Sequence, residues 1–304
     1  MIHRSETSVP VGSIPIAITS TASISKPVHM VPSAWHEHAP FAAWIIEAVE
    51  PELVVELGTH NGFSYFQFCE TIAGSGMDTR AIAVDTWLGD DHAGFYGEEV
   101  YESVKRINDA EYAHFSTLFR GTFDEALSVV EDGTVDLLHI DGRHGYADVR
   151  HDFDSWLPKL SRRSVVLFHD IAEHDRGFAV WQLWEEVSRE FPGFDFRHGH
   201  GLGVLVTGPE PTDAVREFLA VAAARPESVR SLYEGLGARV EQDYEDGIRS
   251  AEQIRRLAEL ELEVAGARAE IIGLNQQLDA VRSSTSWKVT KPLRAVRSGG
   301  RSAG

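Results

Sequence analysis

The chain has 304 residues, 43% hydrophobic and 25% charged, an ordinary globular composition that excludes a disordered, collagenous or fibrous protein. Lys and Arg total 28 against 47 Asp and Glu; the net charge of −19 repels phosphate backbones and argues against nucleic acid as a partner. A single cysteine, Cys69, forms neither an intrachain disulfide nor a cysteine-rich zinc site, in keeping with a reducing compartment.

Residues 1–32 carry Arg4, Glu6 and a Ser/Thr/Pro/Val mixture without a clean apolar run, and read as a flexible segment rather than a signal peptide. Apolar stretches such as Phe41–Val49 are broken by a charge well short of the about 18 residues that span a membrane. The expected location is therefore the cytoplasm.

From Ser33 to Gly208, short apolar runs alternate with amphipathic ones. Strands are predicted at Leu53–Leu57, Ala81–Asp85, Phe115–Arg120, Val135–Ile140, Ser164–His169, Phe194–His198 and Gly203–Val206. Helices are predicted between most of them, at Phe63–Ile72, Glu98–Asn108, Asp124–Val130, Ala147–Leu160 and Phe178–Phe191. This alternation implies a parallel sheet covered on both faces. The last two strands are joined by Gly199–Leu202 alone, too short for a parallel crossover, so they must be antiparallel. The predicted fold class is α/β, a doubly wound, Rossmann-like seven-stranded sheet, six strands parallel and one antiparallel, followed by a C-terminal helical coiled coil.

Residues 209–242 read as a helical connector and 243–282 as the coiled coil. Leu257, Leu260, Val264, Ala267, Ile271, Leu274, Leu278 and Val281 form an a/d seam on a helix of about 40 residues starting at Pro226. The seam suits self-association better than folding back on its own domain. Residues 283–304 form a basic tail. From Arg282 onward stand Arg282, Lys288, Lys291, Arg294, Arg297 and Arg301 with no acid, leaving −25 to the rest of the chain. Such a tail is either a solvated end or a contact for an acidic partner or an anionic membrane surface.

The chemistry gathers at predicted strand ends. The first strand runs through Glu56 into Gly58-Thr59-His60-Asn61-Gly62 and a helix, which allows a tight turn and offers amide donors to a ligand. A dinucleotide fingerprint would need glycine where His60 and Phe63 stand, which disfavours NAD. An acid two residues before the glycine suits a ligand with a positive amine; a plain strand-to-helix turn is the alternative. The second strand ends in Asp85, where doubly wound folds place an acid on ribose hydroxyls, and Trp87 follows as a candidate platform for adenine or a core aromatic. Asp90, Asp91 and His92 read as a solvated loop.

The fourth and fifth strands lead to Asp141-Gly142-Arg143-His144 and to His169-Asp170. Adjacent parallel strands about 4.8 Å apart bring Asp141 and Asp170 together, and two such carboxylates repel unless a proton or cation lies between them. A divalent cation, Mg²⁺ or Mn²⁺, answers this, with His169 as a candidate third ligand. His144 is placed to take a proton from a substrate hydroxyl. His198 and His200 are assigned no role beyond satisfying local backbone groups.

These motifs, Val54 to Gly62, Val84-Asp85-Thr86-Trp87, Asp136 to Tyr146 and Val166 to Asp170, resemble the class I S-adenosylmethionine-dependent methyltransferases. Within that class they resemble the branch containing macrolide-sugar and cephalosporin-pathway enzymes. The resemblance covers residues 33–208 and implies an O-methyltransferase acting on a sugar hydroxyl. It implies that Glu56, Gly58, Thr59, His60 and Gly62 hold the methionine portion of the methyl donor, with Asp85 on the ribose. It further implies a metal at Asp141, His169 and Asp170, with His144 as general base. His169 stands where relatives often carry a carboxylate.

Ser283 to Arg294, after the coiled coil, resembles the tail of bacterial glycosyltransferases and partner enzymes of surface-polysaccharide assembly. That implies a sugar or glycan acceptor, homo-oligomers through the coiled coil, and contact with a glycosyltransferase or the inner membrane face. Two rivals differ in class. A hydroxylase would need a two-His-one-carboxylate iron site, whereas one histidine and two acids converge here. An inert scaffold would need no clustered ionisable groups.

Overall fold

The computed structural model describes residues 18–90, 94–175 and 177–294. The start of the expected flexible segment, Asp91, His92, Arg297 and Arg301 lie outside the described residues. Seven strands form one sheet: β1 (Leu53–Leu57), β2 (Arg80–Asp85), β3 (Ser116–Arg120), β4 (Val135–Ile140), β5 (Leu160–His169), β6 (Gly193–Phe196) and β7 (Leu202–Val206). Their order is β3-β2-β1-β4-β5-β7-β6. Neighbours from β3 to β5 pair in parallel, and β7 pairs antiparallel with both β5 and β6. Six strands thus share one direction and β7 opposes them, as the short final connection requires.

The helices are α1 (Ala39–Val49), α2 (Phe63–Ser75), α3 (Glu98–Ile107), α4 (Phe123–Ala126), α5 (Tyr146–Trp156), α6 (Val180–Glu190), α7 (Asp213–Ala224), α8 (Pro226–Ser283) and α9 (Thr285–Val289). Strand side chains alternate between the two faces of the sheet. Val54, Leu137 and Leu167 pack with α1, α2, α7 and the start of α8. Val55, Leu138 and Val166 pack with α5 and α6. The chain is doubly wound, and the core on the first face extends past Gly208 to Phe218, Val229, Tyr233 and Val240.

Several boundaries differ from the sequence reading. The helix predicted to reach Leu160 stops at Trp156 and passes through a 3-10 turn containing Pro158, which has no N–H to continue a helical ladder. β5 starts four residues early, at Leu160, because its polar start, Ser161-Arg162-Arg163, carries no apolar signal. Gly89–Asp90 and Gly94–Phe95 make a two-residue antiparallel ladder that was not expected. α8 runs 58 residues rather than about 40, with no proline after its first residue to stop it.

The chain divides into two compact units, one ending at Tyr244 and one starting at Glu245. In the first, Gly237 of α8 lies against the segment before α1; a Cβ there would stand 2.1 Å from the Glu37 carbonyl oxygen. In the second, Leu257, Leu260, Val264, Ile271, Leu274, Leu278 and Val281 are all exposed. Among the described residues, no helix is long and apolar enough to cross a membrane.

Candidate active site

The site lies at the carboxyl ends of the parallel strands, where open α/β sheets place their ligands. Leaving β1, the chain turns at Gly58 with φ +91°, and a Cβ there would stand 2.1 Å from the Asp141 carbonyl oxygen. Only glycine accepts both that φ and that approach. Asp85 holds the loop that follows: its Oδ2 accepts from the N–H of Thr59 (2.8 Å) and of His60 (2.9 Å), and its Oδ1 from Trp87 N–H (2.7 Å). α2 then begins immediately after Gly62.

Two expected donor-binding residues lie elsewhere. Glu56 is fully buried and absent from the cavity lining. It sits in register with His139 on β4, and its Oε2 is 2.8 Å from His139 Nδ1. Because β1 side chains alternate, Glu56 points with Val54 into the face covered by α1 and α2, where Trp35 meets His139 edge-on at 5.0 Å. Trp87 is also fully buried; its indole N–H donates to the His60 carbonyl at 3.0 Å, and its ring packs on Tyr101. It buttresses the loop from the core side and presents no platform to a ligand.

The ends of β4 and β5 meet as the strand order requires. His144 Nε2 lies 2.8 Å from Asp170 Oδ2 and 3.6 Å from Asp141 Oδ1. His169 Nδ1 lies 3.2 Å from Asp141 Oδ1 and 3.5 Å from Asp170 Oδ2. Burial opposes charge on both rings, but the two carboxylates outweigh it, pushing His144 up to about 10 and His169 up to about 9. Burial likewise opposes the charge on Asp141, yet His169 and His144 hold its carboxyl well below the usual range. Two imidazolium protons thus supply the positive charge that two close carboxylates demand.

A divalent cation would supply the same charge. Asp141, His144 and Asp170 each offer a ligand atom, all within 4.8 Å of one another. Two carboxylates and one imidazole form a donor set that fits Mn²⁺ or another imidazole-tolerant cation better than Mg²⁺. The sequence reading named His169 in place of His144. In the structure His169 Nε2 donates to the Gly199 carbonyl (3.2 Å), while neither ring nitrogen of His144 is reached by solvent and its ring stacks on Phe178 at 4.3 Å.

These groups open on one cavity of about 760 Å³. The structure brings Gly58, Thr59, His60, Gly62 and Asp85 into its lining, together with Asp141, His144, His169 and Asp170. Trp35 and Tyr96 also line it, whereas His36 and His38 do not. His36 bridges Glu241 Oε2 and the Val31 carbonyl, each at 2.7 Å, and His38 Nε2 donates to the Gly199 carbonyl at 2.8 Å.

Sequence reasoning missed other lining residues. Thr122 and Phe123 follow β3, where a Thr-x-x-Glu capping box could have been read from Thr122 and Glu125. Phe178, Glu173 and His200 also line the cavity. A lone aromatic, acid or histidine in a loop gave no signal for them.

Residues 55–171 match a family model described as a methyltransferase domain, and both the β1 loop and the Asp141–Asp170 cluster fall within the matched stretch. The uncharacterized protein y4gI of Sinorhizobium fredii is 45% identical over 268 residues, covering 85% of this chain. The chain spans 28% of that relative's length. Among solved structures, the O-methyltransferase TomG of Streptomyces achromogenes, in complex with SAM, is 16% identical over 59% of this chain and 82% of its own, with a TM-score of 0.43. A methyltransferase from Geobacter sulfurreducens is also 16% identical, over 58% of this chain and 80% of its own, with a TM-score of 0.43.

Proposed function

We propose that the chain is an S-adenosylmethionine-dependent O-methyltransferase acting on a hydroxyl of a sugar or glycan. One observation carries the reading: the Asp85-braced glycine loop and the Asp141–His144–Asp170 cluster open on the same cavity, inside the matched methyltransferase domain. The loop and Asp85 offer backbone amides and a carboxylate to the amino acid and ribose portions of the donor. The acidic cluster opens on the same cavity and would face the acceptor.

When bound, S-adenosylmethionine would supply an electrophilic methyl group, and Asp141, His144 and Asp170 would hold a divalent cation whose Lewis acidity would lower an acceptor hydroxyl's pKa. The chain's own residues do the rest. Trp35, Phe123 and Phe178 provide apolar walls, and the loops after β1, β4 and β5 fix donor and acceptor in one orientation.

The exposed 3.5-residue seam on α8 suits self-association in a coiled coil, and Lys288, Lys291 and Arg294 beside Trp287 suit an anionic surface or a glycan-assembly partner. Light scattering on Leu260→Lys/Ile271→Lys against the parent chain tests the first; a parent chain that runs as a monomer removes it.

Calorimetric titration with S-adenosylmethionine, with Mn²⁺ or EDTA present, tests the donor. Micromolar binding that disappears in Asp85→Ala supports the proposal. No binding under any condition sinks it.

A further inference from the structure

A hydroxyl that becomes an ether must lose its proton, and the residue expected to take it is badly placed. Both ring nitrogens of His144 are closed to solvent, and Nε2 lies against the two carboxylates. Whether the ring pairs with those acids or ligates a cation beside them, neither nitrogen is offered to an incoming hydroxyl.

Another imidazole is offered. His200 lines the cavity with its side chain 47% exposed, and its Nδ1 lies 2.6 Å from Glu173 Oε1, also in the lining. A carboxylate only accepts, so the ring proton sits on Nδ1 and Nε2 carries the lone pair. A base held in one tautomer by an acid is the arrangement proton transfer needs. The His200 ring stands edge-on to His169 at 6.3 Å, which places it next to the acidic cluster.

The backbone is arranged to hold it there. His200 adopts φ +67°, between Gly199 at +53° and Gly201 at +91°. Its carbonyl accepts from Ala172 N–H at 2.9 Å, and the Gly199 carbonyl accepts from both His38 and His169. A left-handed residue that is not glycine is uncommon and marks a position worth explaining.

We propose that His200 is the catalytic base of this site and Glu173 the residue that orients it, an assignment that rests on the O-methyltransferase reading above. Nε2 takes the proton of the acceptor hydroxyl. The electron pair left on oxygen forms the new O–CH₃ bond as the donor's S–CH₃ bond breaks, and the sulfonium becomes a neutral thioether. The proton leaves the imidazolium through the exposed edge of the ring to bulk water.

The test uses the full chain with Mn²⁺ and labelled S-adenosylmethionine, and as acceptors the methyl glycosides of glucose, mannose, galactose and rhamnose. His200→Gly suits the left-handed backbone and leaves room for a small base. The expected loss in kcat is about 10²–10⁴-fold, the usual worth of a positioned base. Donor affinity by calorimetry stays within about threefold, and added imidazole restores part of the rate with saturation. Glu173→Gln, which leaves the imidazole in place, is expected to lose less and to gain nothing from imidazole. His200→Gly turning over like the parent overturns the assignment and leaves the methyltransferase reading standing. So does a variant that raises acceptor KM at unchanged kcat, which would make His200 a binding residue. A parent chain that transfers no methyl group to any of the four glycosides overturns both.

Discussion

The Cα of Gly58 faces the carbonyl of Asp141 so closely that a side chain of one carbon would stand 2.1 Å from the oxygen. The turn after β1 and the start of the acidic loop after β4 are therefore fitted to each other through backbone alone. Asp141 N–H also donates to the Leu57 carbonyl at 2.8 Å, so the two loops leave the sheet as one unit.

Gly58→Ala follows as a test of that fit. The substitution must displace backbone at a position with φ +91°, and is expected to cost about 1–3 kcal/mol of stability. Donor affinity should fall about tenfold or more, since the loop cannot hold its turn. Thermal melting and calorimetry read the two effects separately. A stable variant with parental affinity would show that the loop does not form the donor site.

The Glu56–His139 pair separates a structural acid from a ligand-binding one. Glu56→Ala removes one partner of a fully buried pair and is expected to cost about 3–5 kcal/mol, whereas Glu56→Gln keeps an acceptor for His139 and costs less. Because Glu56 lies off the cavity, Glu56→Gln should bind S-adenosylmethionine within about threefold of the parent. A larger loss without loss of melting temperature would return Glu56 to the donor site.

Asp152 sets a pH dependence. Burial raises its carboxyl to about 7; His151 opposes the shift, and Asp148 and Asp124 add to it. A raised folded pKa gives stability that is complete below the unfolded value near 3.9 and is lost as pH rises toward 7. Asp152→Asn should therefore be more stable than the parent at pH 8, by on the order of 2–4 kcal/mol, with the difference closing below pH 4. Urea melts at pH 4, 6 and 8 check the sign; a pH-independent difference would rule this explanation out.

The base of α8 belongs with the sheet. Val229, Tyr233 and Val240 are buried in its core, and Glu241 reaches His36, next to the cavity-lining Trp35. A chain shortened to residues 1–244 is expected to melt with the parent's midpoint, and one shortened to 1–208 to fail to fold, because each buried side chain is worth about 1.5–3 kcal/mol. Gly237→Ala should weaken the same contact. Equal donor binding by the two shortened chains would disconnect α8 from the site.

The sheet was legible because each central strand is a short apolar run bounded by turn residues, and the brevity of Gly199–Leu202 settled the direction of β7. Asp141, His144, His169 and Asp170 were legible as a group because neighbouring strands end together. Glu56 misled because an acid at a strand end looks the same whether it faces a ligand or a neighbouring strand. Its partner, His139, is set by register across 83 positions of sequence, and only the pairing of β1 with β4 reveals it. His200 was passed over for a similar reason: Glu173, which orients it, lies 27 residues earlier in a different loop.

The Gly199 carbonyl receives one histidine from ahead of α1 and another from the end of β5. Seen as a sequence of events during synthesis, that oxygen is a late arrival. A nascent chain that has emerged only through Asp170 already holds both carboxylates and the imidazoles nearest to them, yet Nε2 of His38 and of His169 lacks the acceptor it has in the finished fold. The site is completed by the final hairpin, so the order in which the ribosome delivers the chain leaves the acidic pocket open until the domain is almost finished.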